Sequence, residues 1–272
     1  MEIKDAKFME GFIRLTSDAF KKGWHERNGG NLTYRIKDDE IKSVAESLHE
    51  VKEWLPIGNT VPDLAGEYFL VTGSGKYMRN VELAPEENIA VIKIDDSGER
   101  YGIVWGLVNG GRPTSELPTH LANHELKKKL TGGKNRVIYH AHPANLIALT
   151  FVLPLNDKDF TRELWEMMPE APMIFPEGLG VVEWMVPGGK EIADASNKLM
   201  EKYNAVIWAH HGLFVCGNNF DEAFGLMDII EKVSEICVKV LSMGGKKQKP
   251  PREGFIQLAK DFNINLNTAL LD

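Results

Sequence analysis

The sequence predicts an α/β domain with a central, mostly antiparallel or mixed sheet and helices on both faces. Three observations point there. Apolar residues recur at helical spacing in several segments, and these alternate with short β-branched runs. Two such runs, 89–94 and 101–105, flank Asp95-Asp96-Ser97-Gly98, a hairpin signal that excludes a purely parallel βαβ wind. No repeat, low-complexity segment or clear linker divides the 272 residues, so a single domain over 1–272 is expected.

The elements follow in order. Phe8, Phe12, Leu15 and Ala19 recur at helical spacing, so the chain opens with an amphipathic helix ending near Gly23. Asn28-Gly29-Gly30-Asn31 is a tight polar loop before a strand over 32–36. Residues 37–63 read as an irregular polar surface excursion. A strand over 68–71 ends in Thr72-Gly73-Ser74-Gly75-Lys76. Ser115 is expected to cap a helix running to about Lys129, with Glu116 and Pro118 in its first turn. A strand through Tyr139 follows, then short helices near 145–151 and 160–167. Strands are expected at 173–175 and 180–185, a helix over 191–203, and a strand over 205–212. A long helix from 221 to 243 and a terminal one over 252–262 close the chain.

Bulk properties narrow the function. With 43% apolar and 26% charged residues, the composition is that of an ordinary globular protein. A net charge of −7 argues against a general nucleic-acid binder. The two cysteines, Cys216 and Cys237, read as small buried residues in a reducing compartment. The first seven residues are charged and lack an apolar signal core, and no run approaches the ~20 residues needed to cross a bilayer. A cytoplasmic protein is expected.

Val137-Ile138-Tyr139-His140-Ala141-His142 carries the chemistry. Side chains alternate faces along a strand, so His140 and His142 project to one side, as one edge of a metal site requires. Such a pair can also be a polar face satisfied by backbone or water. A second apolar run ends in Trp208-Ala209-His210-His211-Gly212. His210 and His211 should point to opposite faces, so at most one joins the pair. Three imidazoles at one divalent ion would leave a coordination position open, as catalytic sites do.

Pro113-Thr114-Ser115-Glu116-Leu117-Pro118 is a second constellation. Helix capping explains it, and so does a carboxylate beside a metal with the Thr114 and Ser115 hydroxyls facing an anion. The glycine-rich turns at 28–31 and 73–76 are candidate anion nests, although such turns are commonly mere connections. Lys76 reads as solvated or ion-paired rather than as a Schiff-base nucleophile. Trp54, Trp105, Trp165 and Trp184 read as core or interface residues.

Taken in this order, the segments resemble the class II, metal-dependent sugar-phosphate aldolase family over nearly the whole chain. The matching blocks are Lys22-Gly23-Trp24, residues 26–33, 69–76, 113–118, 145–150 and 241–245. The resemblance implies a three-layer α/β/α fold and retro-aldol cleavage of a ketose 1-phosphate to dihydroxyacetone phosphate and an aldehyde. It implies one Zn2+ per subunit on His140, His142 and His211, the last chosen because the family pattern places Gly after the ligand. Glu116 matches the proton-moving carboxylate at the metal, and Glu170 fits the place of a second acid supplied by a neighbouring subunit. Asn28, Asn31, Ser74, Gly75, Thr114 and Ser115 fall where the family cradles the substrate phosphate. A homotetramer with interface active sites is likewise implied.

A cupin-type oxygenase would want a Glu soon after His142, where Pro143-Ala144-Asn145-Leu146 stands. An epimerase or dehydratase on the same scaffold is a closer rival, separated by its products. A non-enzymatic binding module would be expected to lack the three histidines.

Overall fold

The computed structural model describes residues 1–272. The β-branched and aromatic runs pair into one nine-stranded sheet. Its strands are β1 (Asn31–Arg35), β2 (Leu55–Pro56), β3 (Tyr68–Thr72), β4 (Ile89–Ile94), β5 (Arg100–Gly106), β6 (Val137–Ala141), β7 (Gly180–Val182), β8 (Ala205–Trp208) and β9 (Gly212–Gly217). They lie in the order β2-β5-β4-β3-β1-β6-β9-β8-β7. Every neighbouring pair is antiparallel except β7–β8. The mixed, mostly antiparallel sheet is therefore as expected.

Alternation divides the sheet between two helical layers. On one face Leu32, Tyr34, Val137, Tyr139 and Val215 pack into the largest core cluster. Phe8, Met9, Phe12 and Leu15 of the helix Lys7–Lys21 and Leu226, Met227, Ile230 and Val233 of the helix Phe220–Ser242 join them there. On the other face Leu117 and Leu121 of the helix Leu117–Thr131 cover Phe69, Val71 and Ile92. Ile192 and Met200 of the helix Lys190–Met200 cover Ile138, Val206 and Phe214. No helix is long and apolar enough to cross a membrane.

Four local expectations are corrected. Residues 37–63 contain the helix Asp38–Val44, whose Glu40 side chain accepts from the Lys37 N–H at 2.9 Å, and the short strand β2. Residues 173–175 are not a strand. Instead a helix spans Glu170–Ile174 and packs on Phe220–Ser242. Glu116, not Ser115, holds the N-cap position of the helix Leu117–Thr131, and its side chain makes no capping hydrogen bond. The run through His211 is two strands, β8 and β9, joined by a tight turn at Ala209-His210-His211.

Candidate metal and carboxylate site

The strand directions bring the functional segments to one edge. In the antiparallel register Asn31, at the start of β1, faces His140 near the end of β6, and Ala141 faces Leu213 near the start of β9. On the other side of β1, the Leu32 N–H donates to Thr72 Oγ1 at the end of β3, at 3.2 Å. Segments far apart in sequence therefore meet where the strands stop.

His140 and His142 do share a face, His140 on β6 and His142 one residue beyond it. The β8–β9 turn brings His211 to them. The three rings form a near-equilateral triangle, with centroid separations of 5.1 Å (His140–His142), 5.0 Å (His140–His211) and 5.0 Å (His142–His211). One ligating atom from each lies within 4.8 Å of the other two. His210, at φ 62°, turns away, and its Nδ1 meets Thr150 Oγ1 at 3.0 Å while its ring packs at a tilt of 43° against Phe151.

The nitrogens suit a divalent ion. His140 Nδ1 donates to the Leu213 carbonyl at 3.1 Å, which leaves its buried Nε2 as an unpartnered lone pair. His142 Nδ1 donates to Glu26 Oε1 at 2.7 Å, which orients the ring and leaves Nε2 free to act as a ligand. His211 Nδ1 is also buried without a partner. Burial, reinforced by the neighbouring rings, holds His140 well below the ordinary imidazole range and pushes His211 down to about 4. Both rings are therefore neutral near pH 7, the state a metal ligand needs. Three converging imidazoles, two of them with orphaned buried nitrogens, fit Zn2+ and other borderline divalent ions.

Gly212 explains why glycine follows His211. A Cβ there would sit 3.0 Å from His140 Cε1, 3.0 Å from His142 Cδ2 and still closer to the Ala141 carbonyl. Gly212→Ala is expected to splay the two rings and weaken any divalent-ion affinity of the cluster by about 10–100-fold, the range seen when support behind a metal ligand is lost. Competition with a chromophoric chelator measures this, and wild-type affinity in the variant would refute it.

Glu116 lies beside the triangle. Its Oε2 is 3.9 Å from His140 Nε2 and accepts from Asn31 Nδ2 at 2.9 Å. Burial pushes its carboxyl up from the ordinary range, against the pull of the Asn31 donor and of His142. A carboxylate raised in this way is better matched to proton transfer near neutrality.

The glycine-rich turn after β3 lies alongside Pro113-Thr114-Ser115. Ser74 N–H donates to the Arg112 carbonyl at 2.8 Å, Thr114 N–H donates to the Thr72 carbonyl at 2.9 Å, and Gly73 bridges Pro113. Ser74, Gly75 and Ser115 are exposed, and Thr114 is buried. Asn28 is exposed in the turn that carries Glu26 to His142. Asn31 is buried, with its side chain between Glu116 and His120. Glu170 is exposed at the start of its helix and makes no side-chain hydrogen bond or ion pair to the triangle or to Glu116.

Several participants escaped the sequence reading. His25 Nδ1 donates to the Gly29 carbonyl at 2.9 Å, and its Nε2 accepts from the Tyr139 hydroxyl at 2.9 Å, bracing the turn that holds Glu26. His120 and His124 stand behind Asn31. Their signal was present: Glu116, His120 and His124 recur every four residues, one stripe of a helix.

Three imidazoles and a carboxylate at the ends of the central strands of a mixed sheet between helical layers define a class II aldolase type of scaffold. The chain belongs to the family described as Class II Aldolase and Adducin N-terminal domain, which matches residues 10–238. It is 49% identical over 270 residues to rhamnulose-1-phosphate aldolase of Klebsiella pneumoniae, covering 99% of this chain and 98% of that one. The enzyme of the same name from Mannheimia succiniciproducens is 50% identical over 257 residues, 94% of either chain. Among solved structures, a sugar-phosphate aldolase from Thermotoga maritima superposes with a TM-score of 0.75 at 29% identity, covering 88% of this chain and 97% of that one.

Proposed function

We propose that the chain cleaves L-rhamnulose 1-phosphate to dihydroxyacetone phosphate and L-lactaldehyde, as a zinc-dependent lyase of rhamnose catabolism. The observation that carries this reading is the placement of Glu116 Oε2, 3.9 Å from the orphaned Nε2 of His140, in a three-histidine cluster. The substrate is taken from the names of the relatives that are about half identical over nearly the full chain.

His140, His142 and His211 would hold one Zn2+ per subunit. When bound, the ion supplies Lewis-acid polarisation of substrate oxygens. Glu116 takes the proton from the hydroxymethyl carbon of dihydroxyacetone phosphate in synthesis and returns it in cleavage. Asn31 holds the carboxylate oxygen that does so. Asn28, Asn31, Ser74, Gly75, Thr114 and Ser115 bind the phosphate, Asn31 through the second N–H of its amide. That grip supplies remote binding energy for holding the reacting carbons in place.

Glu170 serves the aldehyde-derived oxygen of a neighbouring subunit within a homotetramer. Its exposure supports that role, as do the exposed apolar side chains of Phe151, Val152, Ile174, Trp184 and Val186. A cytoplasmic location fits the two cysteines, both free and buried. The decisive experiment is a coupled assay for dihydroxyacetone phosphate on a panel of ketose 1-phosphates. L-rhamnulose 1-phosphate should give the highest kcat/KM. Preference for L-fuculose or ribulose phosphates would reassign the substrate, and an isomeric or dehydrated product would reassign the reaction.

A further inference from the structure

Behind Glu116 lies a row of buried polar groups that proton transfer itself does not require. Asn31 Nδ2 meets Glu116 Oε2 at 2.9 Å, and Asn31 Oδ1 meets His120 Nε2. His120 Nδ1 meets Thr33 Oγ1 at 2.8 Å, and Thr33 Oγ1 meets His124 Nε2 at 2.8 Å. Thr33, His120 and His124 are wholly excluded from solvent.

Charge sets the direction of every link. As the base that takes the substrate proton Glu116 is ionised, and an ionised carboxylate only accepts. In that state Asn31 must turn its NH2 toward Glu116 and its Oδ1 toward His120. His120 must then carry its proton on Nε2. Burial holds this ring down at about 3, so it is neutral, and its Nδ1 accepts the Thr33 hydroxyl proton. Thr33 Oγ1 in turn accepts from His124 Nε2–H. His124 Nδ1 is then left as a lone pair, and it is indeed buried without a partner. Both side-chain atoms of the neighbouring Asn123 are unpartnered as well. Apolar residues would fill this volume more favourably than a polar row with unsatisfied ends. Stability does not account for the row, whereas a chain of donors that ends on one carboxylate does.

We propose that His120, backed by Thr33 and His124, is a positioning residue: acting through Asn31, it orients the Glu116 carboxylate for proton transfer. This rests on Glu116 being the proton carrier of the proposed reaction. Fixing a reacting group in its working geometry affects kcat more than substrate binding.

The test compares zinc-loaded wild type, His120→Leu, His120→Gln and Thr33→Val. His120→Leu is expected to lower kcat by about 10–100-fold, with bound zinc unchanged and only a smaller rise in KM, because Asn31 also grips the phosphate. His120→Gln should recover most of that loss, because its amide N–H can reach Asn31 Oδ1, and Thr33→Val should show a smaller loss of the same kind. Wild-type kcat in His120→Leu overturns the proposal, as does an equal loss in the Leu and Gln variants. A second arm needs no substrate: side-chain nitrogen spectra of 15N-histidine-labelled wild type should show Nε2–H for His120 and His124. Nδ1–H on His120 would overturn the proposal. If His120→Leu does not fold, Thr33→Val and the spectra decide. Wild type inert on the whole ketose panel would instead remove the aldolase reading, while the spectra still judge the arrangement.

Discussion

Glu116→Gln is expected to retain zinc and substrate affinity while turnover falls by about 10²–10⁴-fold, the usual contribution of a positioned acid–base group. Glutamine preserves the volume and can still present an oxygen to Asn31 Nδ2, which sits 2.9 Å from Oε2 in the native chain. The row of side chains behind it therefore remains satisfied, and only the proton-accepting charge is lost. Measuring kcat and KM beside metal content separates this from a metal defect. A wild-type rate in the variant would remove Glu116 from proton transfer.

The second large effect concerns the imidazoles. Chelation is expected to abolish cleavage and added Zn2+ to restore it. His142→Ala should bind zinc more than about 100-fold more weakly, a greater loss than that from disturbing a ligand's supporting contact. The removal would also strand Glu26, whose carboxylate accepts from His142 Nδ1 at 2.7 Å. Equilibrium dialysis against buffered zinc gives the affinity directly. Full activity of metal-free protein would end the metal mechanism.

The site was more readable in the sequence than the local elements around it. His140 and His142 were paired by strand alternation, a rule indifferent to the rest of the fold. His211 needed the family resemblance, because Ala209-His210-His211 carries none of the residues that mark a hairpin turn. For the same reason β9 (Gly212–Gly217) was not anticipated, and an apolar run that in fact reverses looked like one strand. Met173, Ile174 and Phe175 suggested a strand by composition, yet packing against the helix Phe220–Ser242 makes most of that stretch helical. Short apolar runs carry no period of their own, so tertiary contact decides them. The row behind Asn31 was hidden differently. His120 and His124 lie on the buried stripe of a helix, and it is the sheet, with β1 held between β3 and β6, that brings Asn31 and Thr33 beneath them.

Strand β6 speaks to both helical layers at once. Tyr139 faces away from its neighbour His140 and, through His25, secures the turn from which Glu26 reaches His142. A substitution at this interior tyrosine would thus be felt across the sheet, as looser grip on the ion rather than as a simple packing defect. Engineers seeking a sturdier hydrophobic interior have less freedom at this position than its chemistry alone would suggest.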